Sequence, residues 1–270
     1  MSDDFIVPVY VMMDETMRAL GHRSHALAQI SDAEVLTVAV VAAKYFQNHQ
    51  ERALQVMQLG RYLSGALSTS RFNRRLHALG GWLRLILATL GELFAQGTAF
   101  LLDSMPVPVC RRARARRSRK LGGRDFCGYC AAKREKFFGW RLHLICTTDG
   151  VPVAFDLLPG GLHDLTPIHE RAYGLPADAA VYADKAYNAG ADAATILADT
   201  GVRLVPLRKA TMRPNDWADK LALRAYRKRI ETLYSQLETM GLQRLHARTN
   251  PGLELKVHAA LLAATVTNAN

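Results

Sequence analysis

The spacing of apolar and polar positions changes near residue 95. Before it the spacing is helical. Ser31-Asp32-Ala33-Glu34 has capping-box spacing and opens an apolar-rich run to about Phe46. Ser70 is positioned to cap a helix over 71–79, which Gly80-Gly81 ends. In that helix Phe72, Leu76 and Leu79 share one face and leave Arg71, Arg74 and Arg75 largely outside. Beyond residue 97 the apolar runs are short. Ala99-Phe100-Leu101-Leu102 ends at Asp103, and Ala180-Val181-Tyr182-Ala183 ends at Asp184, so each reads as a short buried strand that delivers one carboxylate. Segments 138–148 and 151–158 flank Asp149-Gly150, a strong hairpin signal. Thr166-Pro167 reads as the cap and first position of a helix ending near Gly174. A helix over 190–200, a strand over 202–205 and a long helix over 217–247 complete the pattern.

Strand, hairpin, helix, strand, helix, strand and helix in succession predict an α/β class with a sheet flanked by helices. We therefore expect a helical N-terminal domain over 1–95 and a sheet domain over 96–270 that carries a basic loop at 111–136. No internal repeat is visible.

Composition adds one fact to this picture. With 49% hydrophobic and 22% charged residues the chain is ordinary, but 35 Lys and Arg against 24 Asp and Glu leave a net charge of +11. Such an excess points to a polyanionic partner. It is concentrated in 111–120, where Arg111, Arg112, Arg114, Arg116, Arg117, Arg119 and Lys120 crowd together. That run cannot pack and must be solvated or laid against phosphate. The short basic helix with Arg71, Arg74 and Arg75 could enter a DNA groove or stay a solvated surface. The longest apolar stretch, 35–43, is too short to span a membrane, and Met1-Ser2-Asp3-Asp4 is no signal peptide. Four cysteines without a secretory signal fit a reducing cytoplasm.

A third acid, Glu231, lies in the cation-rich helical stretch Arg227-Lys228-Arg229-Ile230-Glu231. Three acids on separate elements of a basic protein are what two-metal phosphodiester cleavage needs, because hard oxygen ligands hold divalent ions about 4 Å apart. We expect the three carboxyl groups to converge within several Å of one another around those ions, a gathering that mutual repulsion can loosen when no metal is bound. Rival acids have duller explanations: Asp149 as a turn residue, Asp156 within a strand, Asp216 and Asp219 as caps or surface charges. Asp164, beside His163, is the strongest spare candidate. Cys127-x-x-Cys130 has zinc-knuckle spacing that Cys110, His143 or Cys146 could complete, but no second such pair exists and idle thiols are the simpler reading. No Gly-x-Ser-x-Gly elbow surrounds Ser104, and no Gly-rich phosphate loop is present.

The words Leu102-Asp103-Ser104, Ala183-Asp184-Lys185-Ala186-Tyr187 and Arg227-x-x-Ile230-Glu231 resemble the DDE transposases of bacterial insertion sequences, nearest the insertion-sequence-982 type. Supporting words are Asp103-Ser104-Met105-Pro106-Val107-Pro108, Phe138-Gly139-Trp140-Arg141-Leu142-His143 and Gly160-Gly161-Leu162-His163-Asp164. The resemblance covers most of the chain and implies a ribonuclease-H-like mixed sheet behind the helical domain. It implies that Asp103, Asp184 and Glu231 bind two Mg²⁺ ions, with Mn²⁺ as substitute. Arg227, four residues before Glu231, would orient phosphate or ligand, and Lys185, His163 and Asp164 would support the site. The implied reaction cuts transposon ends and joins the freed 3′-hydroxyl to target DNA. Implied too are duplex DNA as partner, a homodimer when DNA is bound, and work at the bacterial nucleoid rather than at a membrane. Two positions depart from the family signature: Arg224 stands where a Tyr is often found, and Glu238 where a Lys or Arg is. A hydrolysis-only nuclease of the same fold, or an inactive DNA-binding descendant, remains as an alternative.

Overall fold

The computed structural model describes residues 1–118, 121–131, 133–162, 174–188 and 190–269. The chain forms two compact units: residues 1–89 with 236–270, and residues 90–235.

The first unit is helical. It contains α1 (Asp3–Ala19), α2 (Asp32–Phe46), α3 (Gln50–Leu59), α4 (Thr69–Ala78), most of α5 (Gly80–Phe94) and the C-terminal helix α8 (Asn250–Asn268). The capping box is formed: Ser31 Oγ accepts from the Glu34 amide, and the Glu34 carboxylate accepts from the Ser31 amide at 2.6 Å. From Ala33 to Ala43 every residue of α2 is buried, so α2 is the central helix, and α1, α3 and α8 pack against it. Here the structure departs from the boundary read at residue 95. Residues 236–270 join the N-terminal helices, because α8 is buried without a break from Val257 to Val266 and must be enclosed.

Local readings of α4 also change. The cap is Ser68, whose hydroxyl accepts from the Arg71 amide, and Ser70 lies inside the helix. Gly80-Gly81 does not end the helical region but opens α5. Arg71 and Arg74 are exposed as expected, whereas Arg75 turns inward and pairs with Asp32, which also binds His22 at 2.9 Å. Burial pushes the Asp32 carboxyl up, but the hydrogen bonds from Arg75 and His22 outweigh it and hold it below its usual value.

His258 lies within the enclosed face of α8. Burial, then the charge of Arg84, pulls its pKa down to about 4. The unfolded chain therefore binds this proton more readily than the folded one. The neutral-His contribution is present in full above about pH 6.5 and is lost as pH falls towards 4. Between those limits we expect a loss on the order of 3 kcal/mol. Urea titrations at pH 7 and pH 4.5 check this, and His258→Gln should flatten the dependence.

The second unit is built on a six-stranded sheet: β1 (Ala99–Arg111), β2 (Cys127–Cys130), β3 (Glu135–Thr147), β4 (Pro152–Pro159), β5 (Ala180–Ala183) and β6 (Arg203–Pro206). β3 lies between β1 and the pair β2 and β4, all antiparallel to it, while β5 and β6 run parallel to β1. This is the mixed sheet flanked by helices expected of the α/β class. The β3–β4 hairpin closes at Asp149-Gly150, with Gly150 at φ +84, a conformation that favours glycine.

Alternation along the strands sets the two faces. Phe100, Leu102, Val181, Ala183 and Leu204 form one apolar face with Ile196 of α6 (Gly190–Thr200). Leu101 and Tyr182 point the other way, and Tyr182 meets Tyr226 of α7 (Trp217–Thr239) with ring centroids 5.6 Å apart. The helix expected over 217–247 is shorter, because Gly241 takes φ +92 and breaks it.

Two further expectations change. β1 does not end at Asp103 but runs on for eight more residues through Pro106 and Pro108. The prolines are tolerated because β5 pairs with β1 only as far as Leu102, so beyond it that edge of β1 pairs with no described strand. Within the expected basic loop two described stretches take regular structure: Arg112–Arg117 form a 3-10 turn and Cys127–Cys130 form β2 against β3. The helix expected over 166–174 lies outside the described residues. Among the described residues no helix is long and apolar enough to cross a membrane.

Candidate active site

Asp103 and Asp184 owe their relation to strand register. The last parallel pair of β1 and β5 is Leu102 with Ala183, so Asp103 on β1 and Asp184, the first residue past β5, each directly follow a paired position. Such strands lie about 4.8 Å apart. Both aspartates share the alternation of Leu101 and Tyr182, which is the face that α7 covers. α7 then contributes Glu231. All three acids line one cavity of about 360 Å³, together with Tyr182, Tyr226 and Lys220.

Each carboxylate has a different setting. Asp103 is half-buried, and its Oδ1 accepts from the Ser104 amide at 2.7 Å. Asp184 is exposed and extended (φ −74, ψ 174) at the start of a 3-10 turn, and its side chain makes no capping hydrogen bond there. Glu231 is 58% exposed and accepts from Arg227 Nε at 3.0 Å. The expected placement of Arg227 and Glu231 on one helix face is thus observed, one turn apart. The hydrogen bond to Glu231 raises the Arg227 pKa, burial lowers it slightly, and the charges of Asp184 and Asp103 raise it further. Arg227 therefore feels all three acids.

The donor set suits a hard divalent cation: three carboxylates on two strands and a helix. Their present positions do not yet close around one. Among the described residues no three His, Cys, Asp or Glu side chains are close enough to hold a metal ion. The three carboxylates line one cavity but are not gathered to metal-bridging distance. Glu231 is held by Arg227 and not directed at the aspartates.

The remaining expectations divide. Lys185 lies exposed in the turn Lys185–Tyr187 and is not among the described residues lining the cavity. His163, Asp164, Arg119 and Lys120 lie outside the described residues. Arg111, Arg112, Arg114, Arg116 and Arg117 are all exposed, as a run that cannot pack requires. Asp219 pairs with Arg203 at 2.7 Å, and Asp216 accepts from the Asp219 amide at 2.8 Å as a cap. Asp156 faces His143 across β3 and β4. None of the four cysteines forms a disulfide, and among the described residues no three metal-ligating side chains gather around Cys127 and Cys130. Burial, then the Asp103 charge, pushes the Cys146 thiol far above its ordinary range, so it is inert.

Several cavity residues were missed from sequence. Lys220, Arg224, Arg227 and Glu231 recur at spacings of four, three and four, which is one helix face. That period was the available signal. Arg224, noted above only as a departure, lies in the cavity wall.

The family described as "Transposase DDE domain" matches residues 95–266. The chain belongs to the transposase DDE domain family. No curated protein matches it. Among solved structures it is similar to "Mos1 transposase paired-end complex with left transposon end" at 11% identity and a TM-score of 0.28, covering 82% of this chain and 81% of that one. "Crystal structure of a pre-cleavage Mos1 transpososome" is similar at 9% identity and a TM-score of 0.23, with the same coverage. The match of the transposase family spans the cavity and all three of its acids.

Proposed function

We propose that this transposase cuts transposon ends and joins the freed 3′-hydroxyl to target DNA, with Asp103, Asp184 and Glu231 as its catalytic carboxylates. The observation that carries this is the single cavity lined by all three acids. Two divalent cations, Mg²⁺ or Mn²⁺, would activate the attacking oxygen and stabilise the leaving oxygen there. Asp103 and Asp184 would hold them from a rigid sheet edge, and Glu231 would complete the set after releasing Arg227. Arg227, once free, is placed to bind a phosphate oxygen, and a guanidinium does this through paired donors. The exposed arginines of 111–117 would hold the duplex by its backbone without reading bases. The helical unit, through Arg71 and Arg74, would add further DNA contact. We assign the chain to the insertion-sequence-982 type, acting as a homodimer on the DNA of the bacterial nucleoid.

The experiment uses an end duplex taken from inverted repeats bracketing the gene, a plasmid target and Mg²⁺. Joined product is expected. Nicking without joining would indicate a hydrolytic nuclease, and binding without either would indicate an inactive descendant.

A further inference from the structure

A second cavity, of about 900 Å³, lies wholly within the helical unit and takes no part in the site above. Its wall carries Arg52, Arg248 and Lys256 against one carboxylate, Glu51, with His49, His77 and His246 among them. Arg52 and Arg248 are exposed, and among the described residues neither pairs with an acid. Lys256 is tied to the rim, where Nζ donates to the His246 carbonyl at 3.1 Å. The imidazoles of His49 and His246 lie 5.8 Å apart in a tilted arrangement, and His77 closes the wall beside Gly252. The rings therefore line a concave surface whose fixed charges are mostly positive.

Backbone direction strengthens the same field. α3 begins at the cavity with His49 as its N-cap, and no side chain caps its first amides. α8 also begins there, after Thr249. Two helix N-termini thus add partial positive charge to three cationic side chains. α4 presents Thr69, Asn73 and His77 at intervals of four, a polar stripe with hydrogen-bonding groups for an anion. A cation would be repelled by this wall.

We infer that this cavity binds backbone phosphates of duplex DNA, as a contact region distinct from both the arginine run and the outer face of α4. The inference rests on the reading that the chain binds DNA. Its chemistry is that of phosphate diesters held by arginine forks and helix N-termini, with no reading of bases.

The test is the affinity of the full chain for a fluorescein-labelled duplex, measured by anisotropy in EDTA at several salt concentrations. Arg52→Gln/Arg248→Gln should weaken binding roughly tenfold or more near physiological salt, and should lower the slope of log K against log salt by about two. Arg52→Lys/Arg248→Lys should keep most of that slope, because charge survives. Both positions are exposed, so each variant should unfold in urea as the wild type does. A wild type that binds while Arg52→Gln/Arg248→Gln binds equally well, with an unchanged slope, overturns the inference and leaves the DNA-binding reading intact. A wild type that binds no duplex overturns both.

Discussion

Asp184→Asn should reduce strand cleavage on the order of a thousandfold or more, equivalent to about 4 kcal/mol of lost transition-state stabilisation, while DNA binding stays intact or tightens slightly. The substitution is nearly isosteric. Asp184 is exposed at the end of β5, and its side chain caps nothing, so the fold loses little. What disappears is one full negative charge beside Asp103. Removing it deprives a cation of a ligand and makes the cavity less repulsive to phosphate. Gel assays of a labelled end duplex measure cleavage, and anisotropy of the same duplex measures binding. Cleavage near the wild-type rate in clean protein would remove Asp184 from the set.

The second large effect is expected at the arginine run. Replacing Arg111, Arg112, Arg114, Arg116 and Arg117 by Gln should weaken duplex binding roughly a hundredfold near physiological salt, across all sequences. Each lost phosphate contact lowers the slope of log K against log salt by about one. The site of cleavage should move little, since backbone contacts position the duplex without reading it. Every one of these side chains is exposed, so their removal leaves the core untouched. The competing view is a solvated turn away from the DNA path. An unchanged salt slope would establish that view.

Much of the sheet unit could be read from sequence because its signals are local. Asp149-Gly150 announced the hairpin, and the apolar runs before Asp103 and Asp184 announced two buried strands, though not that they run parallel. What escaped was decided at a distance. Pro106 and Pro108 argue against a strand unless one knows that β5 stops pairing at Leu102 and leaves that edge open. β2 is four residues long and exists only because β3 extends past β4 to pair with it. α8 groups with the first helices because α2 is buried all round and α1 and α3 cover only part of it.

The candidate site divides along the same line. The two aspartates and the Arg227–Glu231 pair carry their own signatures. Tyr182 and Tyr226 do not, since an aromatic on a strand and another on a helix become neighbours only when α7 lies on the sheet. Arg75 is the converse case. Its spacing puts it among exposed cations, yet Asp32 on α2 draws it inward, a partner invisible from α4 alone.

If the three carboxylates are catalytic, they form one metal centre. Titration of the free protein with Mn²⁺, followed by electron paramagnetic resonance, measures this without any DNA or turnover. We predict saturable Mn²⁺ binding that Asp103→Asn, Asp184→Asn and Glu231→Gln each weaken at least tenfold, and that Mg²⁺ displaces. Mn²⁺ binding that is equally strong in all three variants would contradict the assignment.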